Sequence, residues 1–401
     1  MASTSSLPDE NINIDRLQKF LDEDMPITQI AQDFNVCTKT IYRRMKSFGI
    51  TRIPFSDIND DDLVDIVIEI KQNHPNDGEA LLDGHLKART PHIKIQRWRL
   101  RAAIHFVDSA GVQARRTVTI KRRQYSVPCP HYLWHIDGNH KLIKWKMVIH
   151  GGIDGFTRLV VFMNISNNNK ATTVHRGFIA ATEQFNWPIR LRTDFGGENE
   201  LIWQAILDKR GPRSALVGSS VHNQPIEQLW GIINDRVTLP FKVLFDSMAR
   251  DGLLNTDNDT DIMCLHWVFL PLIQANLTRE VLALNKRKIS TEHQRSPCQL
   301  EIQFMHLKAA YENKPIEQHE GVVCSYQDPD DLARPLQHVR CDEFERFPAE
   351  LREELCALGT ALEIRDGRRL YLEVVSTIEK YLLRTLEQFH EKINKNRSLN
   401  I

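Results

Sequence analysis

Trp134-His135-Ile136-Asp137-Gly138-Asn139-His140 is the stretch on which the reading of the fold turns. Before it, apolar residues recur at three- and four-residue intervals, the period of helices resting on a core. From Tyr132 the period shortens, and β-rich runs at 132–137, 144–153 and 157–164 are separated by turn residues. A helix is predicted over 170–185, a strand over Ile189–Thr193, a short strand near 215–218 and a helix from Gln224 to Val237. Three consecutive strands followed by helix–strand alternation predict a mixed-sheet α/β domain over residues 130–240. Asp137 then lies in the first strand, facing away from its neighbour Ile136 because strand side chains alternate.

Two further frames supply acids in the same domain. Arg192-Thr193-Asp194-Phe195-Gly196-Gly197-Glu198-Asn199 puts Asp194 at the carboxyl end of a strand, the edge where α/β sheets hold ligands. Val221-His222-Asn223-Gln224-Pro225-Ile226-Glu227-Gln228-Leu229-Trp230 puts Glu227 in the first turn of a helix. Singly, Asp137 reads more readily as an ion-pair acid at a strand end, and Glu227 as an acid favoured by the helix dipole, than either does as a catalytic group. Together the three could converge into an acidic cup. Such a cup suits two divalent ions about 3.5–4 Å apart, and hard oxygen donors favour Mg²⁺ or Mn²⁺. Carboxylates held that close raise one another's pKa until a metal binds. Glu198 is expected in the loop after its strand, Asp235 two turns along from Glu227, and Asp154 in a turn. His140 and His222 read as hydrogen-bonded structural histidines.

Working outward toward the N-terminus, residues 12–50 predict three short helices around Leu17, Phe20, Ile30, Ile41 and Met45. Asn35-Val36-Cys37 makes the turn, Thr38 is the expected cap, and Gly49 stops the last helix. That helix offers Lys39, Tyr42, Arg43, Arg44 and Lys46 on its outer face, the plan of a helix-turn-helix whose recognition helix enters a major groove. Residues 58–125 predict a second helical module, with helices at 60–72, 78–88 and 95–107, and Arg97, Arg99 and Arg101 flank the apolar stripe of the third. The chain as a whole is neutral, with 52 Lys and Arg against 52 Asp and Glu. Residues 87–123 are nonetheless densely cationic, the footprint of a polyanion partner or of a solvated basic face.

Toward the C-terminus, 241–300 reads as a helical extension with a kink or break at Pro271. Residues 301–401 mix strand-like runs with a long amphipathic helix over 370–394. His319, Cys324, His338 and Cys341 are zinc-type ligands at an unfamiliar spacing. The seven scattered cysteines suit reduced thiols better than a disulfide framework. No apolar run approaches membrane-spanning length, and Met1-Ala-Ser-Thr-Ser-Ser lacks a signal-peptide plan, so no membrane partner is expected.

The segment from Trp134 to about Val237 resembles the catalytic core of retroviral integrases and their transposon relatives. Asp137 with His140 three positions on, Thr193-Asp194-x-Gly196, and Asn223-Gln224-x-x-Glu227 carry the resemblance, with Asp194 and Glu227 separated by 33 positions. The frame from Ser220 to Trp230 and the segment Leu284–Leu300 resemble a eukaryotic integrase-core group, so the likeness spans roughly 55–300. It implies an RNase H-like fold, a two-ion Mg²⁺ or Mn²⁺ site at Asp137, Asp194 and Glu227, and DNA cleavage and strand transfer. It also implies DNA element ends and target DNA as partners, a homo-oligomer on DNA, and Asn223 beside the substrate. Nuclear action is expected from that substrate class, since Lys121-Arg122-Arg123 alone is a poor import signal. The helix after Glu227 lacks the basic residues relatives place there, which leaves a second reading: a catalytically inactive, host-retained DNA-binding protein on an integrase-like scaffold. The expected whole is multi-domain, helical modules followed by an RNase H-like mixed-sheet α/β core and a mixed C-terminal region.

Overall fold

A computed structural model describes residues 12–114, 126–218, 223–312, 314, 316, 347–361 and 363–398. Arg115, Arg116, Lys121, Arg122, Arg123, Val221, His222, His319, Cys324, His338 and Cys341 lie outside the described residues.

Helices α1 (Ile14–Asp22), α2 (Ile27–Asp33) and α3 (Thr38–Phe48) close on Leu17, Phe20, Ile30, Ile41 and Met45. Asn13 caps α1 by accepting from the Arg16 amide, and Gly49 ends α3 in the left-handed region at φ 67°. Thr38 is not the cap expected of it. It is the first helical residue, and Cys37 holds the cap position with its Sγ 3.3 Å from Thr40 Oγ1. Helices α4 (Asp60–Asn73), α5 (Glu79–Ala88), α6 (Arg97–Val107) and α7 (Ser109–Ala114) follow, the first three around Leu63, Val67, Leu82, Leu86, Leu100 and Ile104.

Strands β1 (Leu133–Asn139), β2 (Val148–Asp154), β3 (Val160–Ser166), β4 (Arg190–Thr193) and β5 (Ala215–Val217) form one mixed sheet in the order β3-β2-β1-β4-β5. β1 pairs antiparallel with β2, Asp137 opposite Gly151, and parallel with β4, Trp134 opposite Leu191. This is the mixed sheet that the succession of predicted strands implied, in the RNase H-like arrangement that the resemblance implied. Asp154 closes the β2–β3 turn from inside, accepting from the amides of His131 and Thr157 and from the Thr157 hydroxyl.

Helices α8 (Ala171–Phe185) and α9 (Glu200–Arg210) cover one face of the sheet, where Trp134, Ile136, Leu191 and Val217 meet Phe178, Ile202 and Ile206. The sequence reading had no helix at α9. Its interior stripe is short, and the preceding Gly196-Gly197 had read as loop. The other face carries α10 (Gln224–Ile233), a π-helical segment Asn234–Thr238, α11 (Leu239–Arg250) and α12 (Asp259–Lys286). α12 runs straight past the break expected at Pro271. The proline ring faces solvent while Val268, Phe269, Leu272 and Ile273 are buried on either side, so packing outweighs the lost backbone bond.

Helix α5 crosses α12 at Gly84, where a Cβ would stand 2.5 Å from the Ala283 carbonyl oxygen. That close approach seats the second helical unit on the core. Helices α13 (Pro297–Phe304), α14 (Ala309–Glu312), α15 (Ala349–Ala357) and α16 (Ile364–Ser398) complete the described chain, so the described part of the tail is helical where strand-like runs were also expected. Among the described residues no helix is long and apolar enough to cross a membrane.

Candidate active site

Strand β1 sends Trp134 and Ile136 into the α8–α9 side and turns His135, Asp137 and Asn139 toward α10. Each of these three is held by a hydrogen bond. His135 Nδ1 lies 2.6 Å from Asn223 Oδ1, Trp230 Nε1 donates to Asp137 Oδ2 at 2.8 Å, and Asn139 Nδ2 donates to Asn234 Oδ1 at 2.7 Å. Asn223, Trp230 and Asn234 are spaced seven and four residues apart along one run of helix, and Glu227 falls between the first two at the same helical spacing. Glu227 is therefore turned toward β1 by bonds on either side of it, and it is the exposed member of the row.

This corrects the role expected of Asn223. Its side chain is 2% exposed, and its Nδ2 donates to the Ile136 carbonyl while Oδ1 meets His135. It registers α10 on β1. Burial pushes the His135 imidazole down to about 3, so this contact is made by a neutral ring. β2 closes in from behind: a Cβ at Gly151 would stand 2.8 Å from Trp230 Cη2, so glycine opposite Asp137 makes room for the indole that donates to the carboxylate.

Asp194 follows the last residue of β4. Its Oδ1 accepts from the Gly196 amide at 3.1 Å and from Asn199 Nδ2 at 3.0 Å, and Trp203 Nε1 anchors the strand end by donating to Thr193 Oγ1 at 2.7 Å. Glu198, which had been assigned to the loop, is 6% exposed, and its carboxylate packs against the backbone of Gly138 and Gly196. His140 lies on the same side of Gly138 with its Nε2 buried and without a hydrogen-bond partner. Trp230, Asn234, Asn199 and the inward Glu198 are the site residues that sequence reasoning missed. For Trp230 the signal was present in its spacing of three from Glu227.

Burial, then the Asp194 charge, then Glu227 push the Asp137 carboxyl up to about 7, against the hydrogen bonds from Trp230 and the Gly138 amide. No lysine or arginine is among the main groups acting on it. Burial also holds His140 below the ordinary histidine value although Asp194 pulls the other way. The structure thus draws Asp137, Asp194 and Glu227 to one end of the sheet. Their oxygens do not all come within 4.8 Å of one another, a closeness that among described histidines, cysteines and acids is met by His74, His85 and Glu280.

The two predicted nucleic-acid faces differ. On α3, Lys39, Tyr42, Arg43 and Lys46 are exposed, and Arg44 lies over the Phe48 ring at 5.7 Å. On α6, Arg97 and Arg101 both pair with Glu79, and Arg99 bonds Asp60 and the Ile58 carbonyl. Lys87, Arg89 and Lys94 pair with Asp83, Glu69 and Asp24.

A family model described as an integrase core domain matches residues 124–314. No curated protein matches the chain. Among solved structures, the HTLV-2 integrase catalytic core domain in complex with magnesium is similar in its dimeric form at 15% identity, over 43% of this chain and 97% of that one, with a TM-score of 0.29. Its trimeric form gives 15%, 43%, 97% and 0.30. The simian T-cell lymphotropic virus intasome in complex with PP2A regulatory subunit B56 gamma is similar at 16% identity over 58% of this chain and 73% of that one, with a TM-score of 0.31.

Proposed function

We propose that this chain, which carries an integrase core domain of RNase H-like fold, cuts and joins DNA strands at a site formed by Asp137, Asp194 and Glu227. One observation carries the reading: Asp137 is pushed up to about 7 by burial and by two other carboxylates, with no lysine or arginine among the main groups acting on it. A folded protein that gathers three acids without a compensating base is destabilised by them unless a cation completes the set.

The donor set fits Mg²⁺ or Mn²⁺, since it is all carboxylate oxygen from rigid elements. Bound there, two such ions would activate the attacking oxygen and stabilise the leaving oxygen of the phosphodiester. The chain's own groups do the positioning. Trp230 fixes the rotamer of Asp137, Asn199 and the Gly196 amide fix that of Asp194, and the row from Asn223 to Asn234 aims Glu227. In metal-free protein near neutral pH, Asp137 holds a proton about half the time, and that proton must leave before the carboxylate can act as a ligand. Lys39, Tyr42, Arg43, Arg44 and Lys46 of α3 would grip the DNA, with Arg97, Arg99 and Arg101 in support, and two DNA ends held together would call for a homo-oligomer.

The test is nicking and strand joining of supercoiled plasmid, with candidate element ends added, in Mn²⁺ or Mg²⁺. Wild type is expected to be active and Asp194→Asn, purified identically, to lose activity by at least a hundredfold, on the order of removing a main electrostatic contributor. Equal, absent activity in both with DNA binding retained would leave the non-catalytic DNA-binding reading in its place.

A further inference from the structure

A second cluster of metal-type donors lies away from the sheet edge, where α4 and α5 meet α12. His74 caps the C-terminus of α4, His85 lies in α5 and Glu280 in α12, and all three are buried. His74 Nδ1 stands 3.8 Å and His85 Nε2 3.6 Å from the same oxygen, Glu280 Oε2, and the imidazoles stack at 4.8 Å. We propose that His74, His85 and Glu280 bind one divalent transition-metal ion of the zinc class, which fastens the second helical unit to the core.

The donors are prepared as ligands. His74 Nδ1 and Glu280 Oε2 are both buried and neither has a hydrogen-bond partner, while 3.8 Å is too long for a bond between them. The other Glu280 oxygen is held by Arg236 Nη1 at 2.8 Å, which leaves Oε2 facing the imidazoles. Zinc at about 2.0–2.2 Å from nitrogen and oxygen donors would set them roughly 3.3 Å apart, so the two separations from Glu280 need to close by about half an ångström or less, while the stacked imidazoles must turn toward the ion.

His85 Nε2 lies 2.9 Å from Asp77 Oδ2. The carboxylate can only accept, so this nitrogen carries the proton. Metal binding at Nε2 moves that proton through solvent to Nδ1, so the ring stays a neutral ligand, and frees Asp77 Oδ2 from its hydrogen bond. Arg236 also pairs with Asp77 at 2.8 Å, and the Arg287 charge reaches Glu280, so the two carboxylates already face two guanidiniums. A dication adds net charge here, which sets the affinity below that of a thiolate site. The two imidazoles select zinc, cobalt or nickel over magnesium.

The experiment is a Co²⁺ titration of chelator-treated full-length protein, read by visible absorption, with Zn²⁺ as competitor. One equivalent of tetrahedral Co²⁺, displaced by Zn²⁺, is expected in wild type and equally in Asp194→Asn, which separates this site from the acids on the sheet. His74→Ala and Glu280→Gln are expected to weaken Co²⁺ binding at least about tenfold. The absence of a tetrahedral band from wild type would overturn the proposal. So would its loss in Asp194→Asn, its survival in both ligand variants, or a sulfur-to-cobalt charge-transfer band assigning the ion to cysteines. Because wild type and Asp194→Asn decide on their own, a ligand variant that fails to fold does not rescue the idea.

Discussion

Two groups of carboxylates lie along the helical run that starts at Gln224, and the chain treats them in opposite ways. Asp77 and Glu280 are fully buried, and Arg236 sits between them with one nitrogen 2.8 Å from each. Nine positions earlier on the same run, Glu227 faces Asp137 and Asp194, and the main groups acting on Asp137 include no lysine or arginine. The sequence offers a cation in either place at equal expense, so the contrast is informative. Where carboxylates join the second helical unit to the core, an arginine of the chain faces them. Where they line the end of the sheet, the charge is left for something outside the chain. The basic residues repeat the pattern: the arginines of α6 are spent on Glu79 and Asp60, whereas among the described residues Lys39, Arg43 and Lys46 of α3 pair with no acid.

The largest effect is expected from breaking the compensated group. Arg236→Met leaves two buried carboxylates facing each other and should destabilise the fold by about 3–5 kcal/mol, since removing one partner strands the others' charge. Urea denaturation at pH 7.5 in chelator measures it. Adding Zn²⁺ should then recover stability in Arg236→Met more than in wild type, because an ion at His74, His85 and Glu280 would replace the lost cation. A loss below about 1 kcal/mol would mean that Asp77 and Glu280 take up protons or water instead, and the contrast would fail.

The uncompensated group should show itself in pH dependence. The folded value for Asp137, about 7, lies above the ordinary 3.8, so the folded state holds a proton that the unfolded chain has released. Stability from this group is complete below about pH 4 and is lost as pH rises through 7. Buried histidines such as His135, held at about 3, work the other way and gain stability as pH rises toward 6.5, so wild type alone gives a mixed curve. The difference between wild type and Asp137→Asn isolates the carboxylate. In chelator, the variant should gain on wild type steadily from pH 5 to 8, and Mn²⁺ should close the gap by stabilising wild type only. Parallel curves would show that Asp137 is not crowded.

The same contrast marks what could be read from the sequence. The succession of strands along the chain and the first six helices were legible, because periods of 2 and 3.6 and the capping residues are local signals. The break expected at Pro271 was wrong because Val268, Phe269, Leu272 and Ile273 hold both halves of α12 against the core, a tertiary effect. Asn223 was assigned to DNA because its frame named it as part of the site, yet it faces His135 across 88 residues of chain, and no local pattern shows that. The basic run at 87–101 had been weighed by its own composition. Its partners Asp24, Asp60, Glu69 and Glu79 come from elsewhere in the chain, so charge counted along the run overstated the charge left at the surface.

That last point gives the prediction with the least effect on stability. Replacing Lys39, Arg43 and Lys46 together by Ala touches no core residue and should change stability by no more than about 0.5 kcal/mol. If those three neutralise phosphates, the dependence of DNA affinity on salt should flatten by about 2.7 in slope, roughly 0.9 for each. Arg97→Gln with Arg101→Gln removes two formal charges but frees Glu79, so the net change at that face is smaller and the slope should move by less than about 1. Fluorescence anisotropy on a short duplex between 50 and 300 mM salt distinguishes the two faces. A larger change from the α6 pair than from the α3 triple would mean that DNA pulls Arg97 and Arg101 away from Glu79. The second helical unit would then be the one that grips, and ion pairing in the free protein would be a poor guide to which cations are in reserve.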